Sequence, residues 1–114
     1  MDYQEILRRL AIGDTSFIAV RANDARSVAA SGLDPKTHAF ACLGASVALG
    51  VSPSAYQDHV DAAFTAGVTV DEIVGVLIAV APTVGLAKVV SAAPALGLAV
   101  GYDTAAGLEQ LDPN

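Results

Sequence analysis

The chain has 114 residues, the usual size of one domain and enough to bury a real core, so a single domain over 1–114 is the expectation. It is 54% hydrophobic and 16% charged, against about 45–50% and about 25% in ordinary soluble domains, which is more apolar surface than one small core needs. Six basic and twelve acidic side chains leave a net charge of −6, which argues against nucleic acid and anionic lipid surfaces as partners.

The apolar surplus fits burial between subunits of a homo-oligomer. A bilayer is the competing destination, because Ile73 to Ala87 carries no charge and the apolar character resumes after Lys88 up to Val100. Pro82, Gly85, Lys88 and Pro94, the abundance of Ala and Gly, and the lack of basic flanks or an aromatic belt oppose that reading, so no membrane is expected. The start, MDYQEILRRL, lacks the basic-then-apolar design of a signal segment, and the cytoplasm is the expected compartment. Cys42 is the sole cysteine, which excludes an internal disulfide, a Cys-x-x-Cys redox pair and a thiolate zinc cluster.

In chain order, Asp2 opens a short amphipathic helix in which Tyr3, Ile6, Leu7 and Leu10 share a face opposite Glu5, Arg8 and Arg9; Gly13 stops it. It reads as a lid or docking helix. Asp14 caps a second helix, roughly Thr15 to Ala30, with Gly32 as its stop and a weak pattern over residues 22–27. Leu33-Asp34-Pro35 marks a third helix, from Pro35 to about Leu49, whose almost uncharged, Ala- and Gly-rich interior suits a central position.

Ser52 before Pro53 is an N-cap followed by a first-turn proline, and Tyr56, Val60, Ala63 and Phe64 recur at helical spacing until Gly67. Thr69 and Glu72 form a capping box ahead of Ile73, Val76, Leu77 and Val80, so two helices make a tight hairpin. Pro82 should end the second of them, a last apolar segment should run from about Val84 to Val100 with a kink or division at Pro94, and the tail reads as a frayed or docking piece. No strand alternation of useful length appears. The class is all-α, a compact bundle of about six helices.

His59 is the leading candidate for chemistry, since histidine exchanges protons near neutral pH. It lies three residues after Tyr56 and seven after Ser52, at the edge of the apolar face. The competing reading is a hydrogen-bonded core or interface histidine. Ser52 stands where helix-start amides favour a carboxylate or oxyanion, though capping alone explains it. Tyr56 is a substrate contact or a packing aromatic. His38 and Cys42 stand at i and i+4 on one face, but two ligands make no metal site, and no metal is expected. Lys88 is a candidate for holding a substrate carboxylate, against a snorkelling surface role.

The order of residues from Leu33 to Gly101 resembles the carboxymuconolactone decarboxylase family, which includes the AhpD-like alkylhydroperoxidase branch. The likeness is carried by LDPKT at 33–37, VALG at 47–50, HVDAAFTAGVTVDEIVGVL at 59–77 and the P-x-x-G of Pro82 to Gly85. It implies a helical bundle assembling as a trimer or hexamer with sites near subunit contacts. In the peroxidase branch a Cys-x-x-Cys precedes the histidine, and counting back from His59 puts those positions at Ser52 and Ala55. Its early glutamate falls at Ala39, or Phe40 if the loop has gained a residue. Dithiol chemistry needs one thiolate to attack and another to resolve, so peroxide reduction by that route should be lost.

The decarboxylase branch needs no cofactor, and the resemblance to it implies loss of carbon dioxide from an unsaturated lactone acid. On that reading His59 is the general acid, the helix start at Ser52 receives the anion, and Tyr56, His38 and Lys88 contact a small carboxylate or lactone. Two rivals stand beside it: a non-catalytic oligomeric binding or scaffold member of the same fold, and a residual peroxidase using Cys42 of two subunits.

Overall fold

The structure, a computed structural model, describes residues 2–21 and 27–111, and every regular element among them is an α-helix. The chain divides into two compact units, Met1–His38 and Ala39–Asn114.

In the first unit, α1 spans Tyr3–Ala11, α2 Thr15–Arg21 and α3 Ser27–Ser31. The Asp2 carboxylate accepts the Glu5 amide at 2.9 Å, and Asp14 accepts the Phe17 amide at 3.1 Å, so each acidic cap satisfies an amide that a helix start leaves unpaired. Phe17 is the buried side chain here. The Arg21 guanidinium lies 4.0 Å and that of Arg9 5.6 Å from its ring centroid. Arg9 also bonds Glu5 at 2.9 Å and Asp14 at 3.5 Å, which ties α1 to the start of α2. The amphipathic face of α1 buries nothing: Tyr3, Leu7 and Leu10 are exposed. Where the sequence suggests one helix from Thr15 to Ala30, α2 ends at Arg21 and α3 begins at Ser27; residues 22–26 of the weakly patterned stretch lie outside the described residues.

α4 spans Pro35–Leu49 and opens in this first unit, where Asp34 takes both the Thr37 amide at 2.9 Å and the Thr37 hydroxyl at 2.8 Å. These bonds, the amide's first, hold the Asp34 carboxyl below the ordinary carboxylate range. The later part of α4 belongs to the second unit with α5 (Pro53–Thr65), α6 (Val70–Val84), α7 (Leu86–Ala99) and α8 (Thr104–Leu111).

One core fills the second unit. Leu43 and Val47 come from α4, Tyr56, Val60 and Ala63 from α5, Ile73 and Val76 from α6, and Ala92 and Leu96 from α7, with Val68 added by the α5–α6 turn. Burying each of the larger side chains contributes about 1.5–3 kcal/mol, so this set outweighs any surface ion pair in the chain. Small residues let the helices close up: a Cβ on Gly44 would meet Val80 at 3.3 Å, which brings α4 against α6. α7, rather than α4, is the element that packs against most neighbours, touching α5, α6 and α8.

The caps at Ser52 and Thr69 form as the sequence dictates, the second as a full capping box with Glu72. Neither proline divides the helix that carries it. Pro82 lies within the last turn of α6, which continues to Val84 and ends at Gly85, where a φ of +93° suits glycine alone. Pro94 lies inside α7 without dividing it. Each proline removes one backbone donor, and burial of Ala92 and Leu96 on the opposite side of α7 keeps the helix continuous. The tail is helical rather than frayed: Asp103 accepts the amides of Ala105 and Ala106 at the start of α8. Phe64 also departs from expectation, being 41% exposed. α5 buries only a strip roughly 60° wide through Tyr56, Val60 and Ala63, and Phe64 falls outside it.

No helix among the described residues is long and apolar enough to cross a membrane.

Candidate functional site

α5 carries the residues of interest. Its first turn is set by Ser52, whose hydroxyl accepts the Ala55 amide and lies 3.2 Å from the Ser54 hydroxyl. Pro53 at the first helical position fixes the entry and has no amide of its own, and the Ala55 and Tyr56 amides bond the Ser52 hydroxyl and carbonyl, which leaves the Ser54 amide pointing out of the helix start. The preceding turn is shaped by Gly50, whose φ of +66° ends α4. There the Gly50 and Val51 amides both close on the Ser46 carbonyl, satisfying an acceptor that the helix end would otherwise leave open.

Tyr56 is 2% exposed and its hydroxyl donates to that same Ser46 carbonyl at 3.2 Å. Burial pushes its phenol above the usual value, so it stays protonated at neutral pH. Ser46 is also buried, and its hydroxyl donates to the Cys42 carbonyl at 2.8 Å. These bonds tie α5 to α4 and occupy the hydroxyl that the sequence offers to a substrate.

His59 is half-buried, one turn beyond Tyr56 and roughly 60° around the helix from the middle of its buried strip. Its imidazole makes no hydrogen bond to any described residue, in contrast to the Tyr56 hydroxyl. Ala55 occupies the position four residues before it, and Ser52 the position seven before. Ala39, where a glutamate would stand, is buried in the core, and Phe40 packs against the same cluster, so neither candidate position offers a carboxylate.

The remaining sequence candidates are distributed differently. The Lys88 side chain is exposed and its Nζ lies 4.0 Å from where a Cβ on Gly50 would stand, beside the α4–α5 turn and two residues before Ser52. Its positive charge there complements the carbonyl end of α4. The structure therefore brings Ser52 and Lys88 to one turn. His38 is half-buried in the first unit, with Nε2 2.9 Å from the Ser27 hydroxyl. Cys42, one turn further along α4, is half-buried. Among the described residues no group of three or more His, Cys, Asp or Glu side chains is arranged to hold a metal ion.

An open groove of about 390 Å³ runs between α5 and α7, lined by Pro53, Gln57, Ser91, Pro94, Ala95, Leu98 and Ala99. Gln57 spans it, donating to Asp61 at 2.9 Å and to the Ala99 carbonyl at 3.5 Å. Pro53 and Gln57 lie on the flank of α5 opposite His59, roughly 120–160° away about the helix axis. Gln57 and Ser91 are lining residues that the sequence reading does not single out. Their signal is modest, since Gln57 follows Pro53 by four positions and Ser91 precedes Ala95 by four.

Searches of curated proteins and of solved structures return no match to this chain. A family model described as the carboxymuconolactone decarboxylase family matches residues 15–97, from the start of α2 to within α7, and so spans Ser52, Ala55, His59 and Lys88. The chain belongs to the carboxymuconolactone decarboxylase family.

Proposed function

We propose that this protein is a cofactor-independent lyase of its family, acting on a small lactone or organic acid without dithiol redox chemistry, with His59 as the general acid. The observation that carries the proposal is the state of His59: half-buried, unbonded within the described chain, and preceded by Ser52 and Ala55 where the redox branch has thiols. Decarboxylation of an unsaturated lactone acid breaks the bond to the carboxyl carbon. The electron pair left behind passes through the conjugated system to an oxygen, and a carbon is then protonated. Such a reaction asks for donors facing the oxyanion and a positioned acid. The helix start at Ser52 and the Lys88 ammonium, close to one turn, supply positive potential for the carboxylate. Tyr56 and His38 are weaker substrate contacts in this proposal, because the Tyr56 hydroxyl serves Ser46 and His38 pairs with Ser27.

The working form is a cytoplasmic homo-oligomer, a trimer or hexamer, and the net charge of −6 speaks against nucleic-acid partners. Turnover of lactone acids by the purified protein, lost in His59→Ala, tests the proposal; an unchanged rate in the variant removes His59 as the acid.

A second reading, a non-catalytic oligomeric scaffold, is favoured by the groove between α5 and α7 lying on the flank of α5 away from His59. It predicts a stable oligomer that turns over no lactone acid.

A further inference from the structure

The bond that draws His38 away from the lyase chemistry joins it to Ser27. The Ser27 hydroxyl and the His38 Nε2 stand 2.9 Å apart, and both residues are half-buried in the N-terminal unit. A well-capped helix start fixes His38: its amide bonds the Asp34 carbonyl at 2.9 Å, and the Asp34 carboxylate takes the amide and the hydroxyl of Thr37. Ser27 opens α3, and its hydroxyl meets this imidazole. Other serines of the chain behave differently. Ser31 and Ser46 donate to carbonyls three and four residues back, and Ser52 caps α5. A hydroxyl bonded to its own helix is an ordinary local contact, whereas one paired with an imidazole eleven positions away has the geometry of a nucleophile and its base.

We propose that Ser27 and His38 form a second reactive site, in which Ser27 takes the acyl group of a small activated ester, an aryl ester or a thioester, with His38 as general base. A serine hydroxyl is a weak nucleophile until a base removes its proton, and imidazole is the side chain suited to that task near neutral pH. With the ring hydrogen on Nδ1, Nε2 presents its lone pair to Ser27. Oγ then bonds the acyl carbon as its proton passes to Nε2, and the tetrahedral adduct expels the phenol or thiol, which recovers that proton from the imidazolium. Water next attacks the acyl-serine ester, losing a proton to Nε2, and the departing Ser27 oxygen takes the proton back. The net change is hydrolysis of the ester to an acid and a phenol or thiol. The substrate class follows from what the pair supplies, a nucleophile and a base: a phenolate or thiolate leaves as a stable anion and asks little of a further proton donor. Half-burial keeps the pair within reach of a small acyl donor while removing part of its hydration. This chemistry does not depend on His59, which lies on α5 in the second unit.

The test is reaction of the wild-type chain with p-nitrophenyl acetate, read as nitrophenolate release and as the position of the acetyl group by peptide mass spectrometry. Diisopropyl fluorophosphate, a serine-directed reagent, serves as a second label. The proposal expects both labels on Ser27. Nitrophenolate release should fall by about 100-fold or more in Ser27→Ala and in His38→Gln, which keeps a hydrogen-bonding side chain but cannot act as the base. Ser91→Ala, which removes an exposed serine of α7, should leave the rate unchanged. Labels found only on other residues, ester cleavage that survives Ser27→Ala, or a wild-type rate in His38→Gln overturns the proposal. The label map is read on the wild-type chain, so an unlabelled Ser27 there contradicts the proposal even if the variants fail to fold.

Discussion

The Tyr56 hydroxyl donates to the Ser46 carbonyl at 3.2 Å, the same oxygen that receives the Gly50 and Val51 amides at the end of α4. Tyr56 thereby closes one helix from the interior of the next. Tyr56→Phe should cost about 0.5–1 kcal/mol, the low end for a buried hydrogen bond, because two amides remain on that oxygen. Tyr56→Ala should cost about 3–5 kcal/mol, since it empties a core site. Denaturant titration measures both. A Tyr56→Phe variant with unchanged stability and a raised KM would instead mark the hydroxyl as a substrate contact.

α6 depends on its reciprocal cap, in which Thr69 receives the Glu72 amide at 3.2 Å and Glu72 receives the Thr69 amide at 3.0 Å. Thr69→Ala should lower stability by about 1 kcal/mol and Thr69→Ser by less, because serine keeps the acceptor. Equal losses in the two variants, read from chemical unfolding, would show that the methyl group matters more than the cap.

Tyr102 folds back over α8, and its hydroxyl fills the place where a Cβ on Gly107 would stand. Gly107 is buried, and α8 packs on α7. Gly107→Ala should therefore expel the tyrosine ring and loosen α8 from α7, giving faster amide exchange over 104–111 than in the wild type. Gly75→Ala, where a Cβ meets nothing within 4 Å, should leave that exchange unchanged.

Acid should weaken the N-terminal unit. Hydrogen bonds from Arg8 and then Arg9 hold Glu5 below its ordinary value, and the Thr37 amide and hydroxyl do the same for Asp34. A carboxylate with a lowered folded-state pKa contributes stability that is fully present above its unfolded value, about 4, and is lost as pH falls through the lower folded value. Amide protection over residues 3–11 and 35–38, taken relative to intrinsic exchange at each pH, should thus fall below about pH 4. Asp34→Asn keeps a cap acceptor without the charge, so it should flatten the acid response of the start of α4. An Asn variant with the wild-type pH profile would assign the response to other groups.

Most helix starts are legible in the sequence because they are local: Asp34-Pro35, Ser52-Pro53 and the Thr69–Glu72 box each rest on side chains within three positions of the amides they satisfy. The paths of α6 through Pro82 and of α7 through Pro94 are not legible, since tertiary burial of residues such as Ile73 and Leu96 decides whether a helix survives a missing donor. The cap at Asp103 is local too, but a weak apolar pattern after it hides the helix it starts. At the candidate site, the line through Ser52, Tyr56 and His59 follows from helical spacing, whereas the separate fates of the three side chains do not. They depend on how α5 is rotated against α4 and α7, which puts Tyr56 into the core and leaves His59 on the flank away from the groove. The pairing of His38 with Ser27 joins residues eleven apart, and no periodicity announces it.

The proposed chemistry stands or falls on one imidazole. The decisive measurement is the rate of carbon dioxide release from carboxymuconolactone by the wild-type protein and by His59→Ala, with assembly and helicity of both verified. A general acid typically contributes roughly 100- to 10,000-fold, so a rate lower by about 100-fold or more in an otherwise intact His59→Ala protein is the expected result. Equal rates in the two proteins, or no turnover of lactone acids by an intact wild-type oligomer, would contradict it.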